Sequence, residues 1–419
     1  MQKTENIVDL GKTTKKPLAM RNVRLFCALT LSCGSFMVSD QAAAAHWNGN
    51  QDPMTVGRAG HTATLMTAGP LKNKVIITGG NIGTQTLDPK HPLTFGEQTA
   101  SVDLYREDGS VTALPSMYFE RLYHTATALN DGRLLVVGGI STGAAATSQI
   151  YDPSSGWLRI QILHEPRGRH TATLLPDGSV LVAGGCNADT DTATATTESL
   201  NPGVPYWNVG PSMSTARCGH TATLLSNGKI LVTGGVSNDN GQLNSSRFLR
   251  STELFDPISN TWAPGPGMAA GRAWHNATCL NAECSKVLVA GGIAHRRNST
   301  SATPVYQSAE IYDVATNRWS VAADMATPHG DGMAMARLAD GRVIAMGGRF
   351  SNDSQVEIYH PAQNRWVEAE DGILPPYQPT AVRLANGNIL FSGGNGDWRY
   401  HLASSPEQIV YESSPGEAR

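Results

Sequence analysis

The 419-residue chain has few aromatic residues (6%) and few charged ones (16%), and beyond Arg24 it carries no dense run of lysine and arginine. With a formal charge of only −3 as well, it has no electrostatic footprint for nucleic acid or for an anionic membrane surface. The longest apolar stretch, "LFCALTLSCGSFMV", is 14 residues long, too short to span a bilayer comfortably. There is no Gly-x-Ser-x-Gly elbow, no phosphate-binding loop and no zinc-ligand pair, which removes the hydrolase, nucleotide and zinc chemistries those motifs announce. Cysteine is scarce too, six in all. What is plentiful is turn chemistry: 43 glycines and 23 prolines suit a chain of many short strands better than a helical one.

The N-terminus reads as an export signal. Basic residues run through Arg24, the apolar stretch follows, and "SDQAAAAHW" supplies small residues suited to cleavage after Ala45. Met20 opens a segment that alone has signal proportions, so residues 1–19 read as an upstream extension. Cys33 is the residue a lipoprotein anchor would use, but "TLSC" lacks a leucine three positions before it. The expected location is the periplasm or the exterior. There the four remaining cysteines, Cys186, Cys218, Cys279 and Cys284, favour disulfides. Cys279 and Cys284 flank a four-residue turn, and Cys186 and Cys218 fall at the same end of successive repeats; two free buried thiols are the alternative for the first pair.

Double glycines recur at 79/80, 138/139, 184/185, 234/235, 291/292, 347/348 and 393/394, at intervals of 59, 46, 50, 57, 56 and 46 residues. A period near fifty residues marks a repeat architecture. Within a unit, "HTATLL" alternates, a "DG" or "NG" turn follows, and "SVLVAGG" returns, which is a hairpin signal. A third strand of the "IYDP" kind and a fourth carrying a tryptophan complete four strands. The seventh unit lacks its tryptophan strand, while "HWNGNQDPM" at residue 46 is an orphan one, so the N-terminal strand is expected to seal the last blade and cover its open edge. The fold class is therefore all-β, a seven-bladed propeller of four-stranded antiparallel blades over residues 46–419.

The double glycine, the tyrosine-bearing strand and the spaced tryptophans resemble kelch repeats. The form "RxxHTATLLPDGxVLVAGG" is similar to bacterial secreted kelch proteins and to the propeller domain of galactose oxidase. The resemblance implies fold far more than function.

Strand order puts the Arg-x-x-His heads, the post-glycine loops and the linkers on one face, and the "DG" turns on the other; loops on a rigid scaffold are where function concentrates. The heads are Arg58/His61, Arg121/His124, Arg167/His170, Arg217/His220 and Arg272/His275, with Met333 and Pro379 at the histidine position of the last two units. One reading has them brace adjacent blades. The other has Arg58, Arg121, Arg217, Arg272 and the histidines line a funnel for an anionic or polyhydroxy ligand. Arg169, Trp274, His329, Asp331, Arg349, Tyr377 and Trp398 break the repeat on the same face. His329 and Asp331 are candidates for an acid–base pair, Trp274 for stacking on a sugar, and the His295–Arg297 tip for a solvated surface. Tyr123-His124 matches the Arg-x-Tyr-His motif that the galactose oxidase resemblance assigns to copper. No match is found for the radical tyrosine, its cysteine or the further histidine that family uses, so no cofactor is expected. The expected function is an exported, monomeric module that binds glycan, a small polar ligand or a partner protein. The alternative is an enzyme on a carbohydrate or small metabolite, oxidase-like or epimerase-like.

Overall fold

The computed structural model describes residues 46–48, 53–82, 97–141, 143–187, 192–238, 246–294, 306–348, 356–369, 378–394 and 408–412. The signal-like segment 1–45 with Cys33, the loop tip His295–Arg297, Arg349, Tyr377 and Trp398 lie outside the described residues.

Every regular element among the described residues is a strand, arranged in seven antiparallel blades and one added hairpin. The innermost strands are Thr62–Leu65, Thr125–Ala128, Thr171–Leu174, Thr221–Leu224, Asn276–Cys279, Ala334–Arg337 and Thr380–Arg383. Each touches the next and the last touches the first, so the ring is closed around a central axis. Their Thr and Ala side chains are small because neighbouring inner strands converge there, and most are half-buried along the axis. The second strands, such as Leu134–Val137 and Ile230–Thr233, are buried on both faces and accordingly read as continuous apolar runs. Blade two splits its outer edge between Gly156–Trp157 and Gln161–Ile162, both paired with Thr147–Asp152.

Among the described residues one hydrophobic cluster lies at each of the seven blade–blade interfaces, such as Met66, Leu104, Leu134 and Tyr151 between blades one and two and Leu175, Val232 and Phe255 between three and four, and an eighth gathers around Cys186 and Cys218. A single four-stranded sheet buries neither face by itself, so its stability lies in its neighbours. The expected seal is present: His46–Asn48 pairs antiparallel with Gln408–Glu412, Trp47 opposite Tyr411, which removes an open edge.

The repeat signature now has physical causes. Tyr312 and Trp319, opposite each other across the third and fourth strands, pack with tilted rings, centroids 5.3 Å apart; Phe255–Trp262 and Tyr359–Trp366 do the same at 5.0 Å. The indole N–H of Trp262 and Trp319 donates to the carbonyls of Pro211 and Pro266 in the linker entering the blade. The double glycine is a joint between blades. Gly79, at φ 60°, leaves room for the next blade: a Cβ there would lie 2.6 Å from the Arg121 carbonyl oxygen and 2.7 Å from His124 Cε1. Gly80 then donates its N–H to that same Arg121 carbonyl at 2.7 Å. No side chain fits the first glycine position without moving the neighbouring blade.

Candidate functional site

The five repeat arginines are fully buried and point along their own blades, not toward the axis. Arg217 Nη1 donates to the Gly234 and Ser251 carbonyls at 2.8 and 3.2 Å, and Nη2 reaches Glu253 at 2.7 Å. Arg58–Asp103, Arg167–Glu198 and Arg272–Glu310 repeat the arrangement at 2.8, 2.8 and 3.1 Å. Each carboxylate also takes backbone N–H groups of the linker, Ser214 and Thr215 for Glu253. Burial lowers the affinity of all these guanidinium groups for their protons, and the neighbouring carboxylates oppose it. Blade two lacks the acid: Gln149 stands there, Arg121 Nη2 settles for the Thr147 hydroxyl at 2.8 Å, and burial alone pulls Arg121 down to about 10. The expectation that Arg58, Arg121, Arg217 and Arg272 face a ligand is therefore corrected. They are fully buried, and their Nη donors tie second strand, third strand and linker together within one blade.

The bracing between blades falls to the histidines. Nε2 of His124, His170, His220 and His275 lies 2.8, 2.9, 3.1 and 3.1 Å from a threonine hydroxyl of the preceding blade, respectively Thr78, Thr125, Thr171 and Thr221. His61 makes the same contact with Thr380 of blade seven at 3.1 Å. Burial, reinforced by adjacent arginines, holds His61, His124 and His220 down to about 3 and His170 and His275 well below their ordinary value. At neutral pH the belt is uncharged.

In blade six His329 replaces the arginine. Its carbonyl accepts from Gly292 as Arg272's does from Gly235. Its Nδ1 faces the Gly347 carbonyl at 2.7 Å and its Nε2 faces Glu357 at 3.2 Å. Burial pushes the Glu357 carboxyl up, but bonds from His329 and the Ala326 and Thr327 N–H groups hold it below its usual range. The expected His329–Asp331 acid–base pair is thus corrected: His329 is fully buried with Glu357, while Asp331 lies on the wall of the mouth. Met333 takes the histidine place, its Cε near Gly291, with one residue added between.

The site emerges from the position just before each histidine. Gly60, Tyr123, Arg169, Gly219, Trp274, Gly332 and Gln378 occupy it in blades one to seven, all with positive φ, between 52° and 87°. Four of them are large side chains held where glycine is usual, each at a cost on the order of 1 kcal/mol that the fold must sustain. The left-handed turn swings them over the axis. The Arg169 guanidinium lies 4.4 Å over the Tyr123 ring and 5.7 Å over the Trp274 ring. Tyr123 and Gln378 exchange hydrogen bonds at 3.0 and 3.2 Å. The glycines make this possible: a Cβ on Gly219 would lie 2.8 Å from Trp274 Nε1, and one on Gly332 would collide with Gln378.

These residues line a recess of about 290 Å³ with the histidine edges as its floor, above a channel of about 380 Å³ walled by Thr and Ala. Arg169 Nε and Trp274 Nε1 are buried there with no hydrogen-bond partner. The disulfide Cys186–Cys218, with Cα atoms 5.3 Å apart, clamps the heads of blades three and four and packs against Trp274. Cys279–Cys284 staples the hairpin of blade five.

Tyr123, Arg169 and Trp274 were individually visible in the sequence; Gln378 and the three glycines were not singled out. Their common signal is the one place in each head that varies while its neighbours repeat. His124 Nε2 lies 2.8 Å from the Thr78 hydroxyl, and the Tyr123 hydroxyl bonds to the Gln378 amide. Among the described residues no three His, Cys, Asp or Glu side chains gather as a metal site.

The Kelch motif family matches residues 216–269. The chain is 34% identical over 150 residues to an F-box/kelch-repeat protein of Arabidopsis thaliana, covering 32% of this chain and 30% of that one. It is 27% identical over 165 residues to the kelch-like protein terF of Aspergillus terreus, covering 38% and 35%. It thus spans about a third of the length of these curated relatives. A fungal alcohol oxidase of the AA5 family, solved in complex with copper, superposes with a TM-score of 0.65 at 16% identity, covering 88% of this chain and 76% of that one, a likeness of fold. With its closed ring of seven blades and its glycine joints the chain is a β-propeller that carries a Kelch motif at residues 216–269 and is similar to kelch-repeat proteins.

Proposed function

We propose that this propeller is an exported binding module whose ligand enters the recess at the Arg-x-x-His face. Kelch propellers are interaction modules in general; the ligand here is a small polar compound or the terminal residue of a glycan. The observation carrying this reading is the set of four large side chains, Tyr123, Arg169, Trp274 and Gln378, held in left-handed backbone around one recess. Backbone strain of this kind persists where something other than packing selects it. The half-buried Trp274 offers a flat apolar face beside hydrogen-bonding groups, the combination that binds sugar rings. Two disulfides fit an extracellular location, and export through the segment 1–45 completes the proposal. Among the described residues no helix is long and apolar enough to cross a membrane.

A glycan array and a metabolite screen on the purified chain test this, followed by titration of the best hit. Trp274→Ala should weaken it by about thirtyfold or more, as loss of a central aromatic anchor costs about 2 kcal/mol. Asp177→Ala, in the turn on the opposite face, should leave it unchanged. The reverse pattern in folded protein would reject the face. The competing enzymatic reading draws on the likeness to an alcohol oxidase, and turnover of carbohydrate alcohols with bound copper by elemental analysis would favour it.

A further inference from the structure

Resting on the recess as the binding site, we infer that its ligand carries a carboxylate, seated on Arg169: a small hydroxy acid or acidic monosaccharide. Arg169 differs from every other buried arginine of the ring. Four of those have a carboxylate within 3.1 Å and the fifth donates to three carbonyls and a hydroxyl. Arg169, by contrast, is half-buried, with aromatic faces at 4.4 and 5.7 Å and no acid partner among the described residues. A guanidinium that opens on a recess with no ion-pair partner among the described residues is a seat for an anion from outside the chain. Trp274 Nε1, a donor only, lies on the same wall with no acceptor.

The chemistry is narrowed further by shape and charge. A guanidinium lying over a tyrosine ring leaves its edge as the free donor array, and that planar fork matches a planar carboxylate two bonds at a time. Phosphate or sulfate sites bring several cations or a helix N-terminus; here Arg169 is the one arginine and Asp331 the one acid in the recess lining, which suits a ligand with a single negative charge. Asp331 and Gln378 line the same recess, where hydroxyls on the ligand would meet an acceptor and an amide. The volume of about 290 Å³ sits at the small end of the roughly 300–1,000 Å³ typical of small-molecule sites, which favours one ring or a short chain.

The test is calorimetric titration of the full chain with lactate, tartrate, gluconate, glucuronate and galacturonate, each beside its uncharged counterpart, such as glucose for glucuronate. At least one acid should bind at least tenfold tighter than its counterpart. Arg169→Gln should weaken that acid about ten- to hundredfold and leave the counterpart unaffected. Trp274→Phe, keeping the ring but losing the N–H, should cost severalfold, and Arg318→Gln, on an outer strand, nothing. Should Arg169→Gln fold poorly, Arg169→Lys keeps the charge and should still lose most of the discrimination. Equal binding of acids and counterparts, no binding by any acid, or wild-type affinity in both Arg169 variants overturns the inference. Neutral sugars that bind and are lost in Trp274→Ala would retain the recess as the site and defeat only the carboxylate.

Discussion

Blade two contains a comparison built by the repeat itself, and it yields a quantitative prediction. Glu253 accepts Arg217 at 2.7 Å and the N–H groups of Ser214 and Thr215 at 2.7 and 3.2 Å, with both charged side chains almost fully buried. Glu253→Gln keeps the volume and removes the charge. It leaves a guanidinium buried without its counter-charge and turns an amide N–H₂ toward donors, so the expected loss is about 3–5 kcal/mol. Against a total stability of about 5–15 kcal/mol for a domain, that shift is easily measured as a lower urea midpoint. Gln149 occupies the matching place opposite Val136, as Glu253 does opposite Val232, and its Nε2 is buried without a partner. Gln149→Glu should therefore gain stability, up to about 2 kcal/mol, by giving Arg121 a charged acceptor. Parallel urea unfolding followed by tryptophan fluorescence, at pH 7.5, decides both. A cost below about 1 kcal/mol for Glu253→Gln, or a destabilised Gln149→Glu, would refute the view that each blade is tied by its arginine–acid pair.

Other expectations follow from the same contacts. Because the belt histidines are held well below their ordinary value, to about 3 for His61, His124 and His220, the unfolded chain binds more protons than the folded one below about pH 6.5. Stability should thus fall as pH drops from there toward 3, each histidine adding up to about 1.4 kcal/mol per pH unit; a flat urea midpoint between pH 7 and 5 would contradict this. The double substitution Cys186→Ala/Cys218→Ala, opening a loop of 32-residue separation, should cost about 3–4 kcal/mol on the chain-entropy account, read from the thermal midpoint of oxidised protein. Removing residues 46–48 strips the strand that seals blade seven and should lower the midpoint and broaden the transition; an unchanged melt would mean the ring closes without it.

Much of the molecule was readable from residue order because the repeat states the same local rule many times over. The glycine pairs, the "DG" turns and the Tyr–Trp spacing are short-range requirements of backbone conformation and of cross-strand packing, and each copy corroborates the others. The orphan tryptophan strand at residue 46 signalled closure for the same reason. Both cysteine pairs were legible from their position in the unit, and both join as disulfides. Reading the arginines was harder. Their partners, Asp103, Glu198, Glu253 and Glu310, lie between 31 and 45 residues away, and whether a guanidinium points to the axis or along the blade depends on side-chain direction, which periodicity does not encode. His329 misled in the same way, since nearness to Asp331 in the chain concealed a partner 28 residues on.

Sequence alone determined the blade: strand count, turn positions, glycine joints, the sealing strand and the face that carries the variable loops all follow from local conformational preference repeated at a fixed period. Tertiary structure decided which of the polar groups on that face are free to act. Closing the ring brings Tyr123, Arg169, Trp274 and Gln378, up to 255 residues apart in the chain, over one axis. It also buries the repeat arginines and neutralises the histidines beneath them. That outcome is collective, because desolvation and contact between blades exist only once all seven have met.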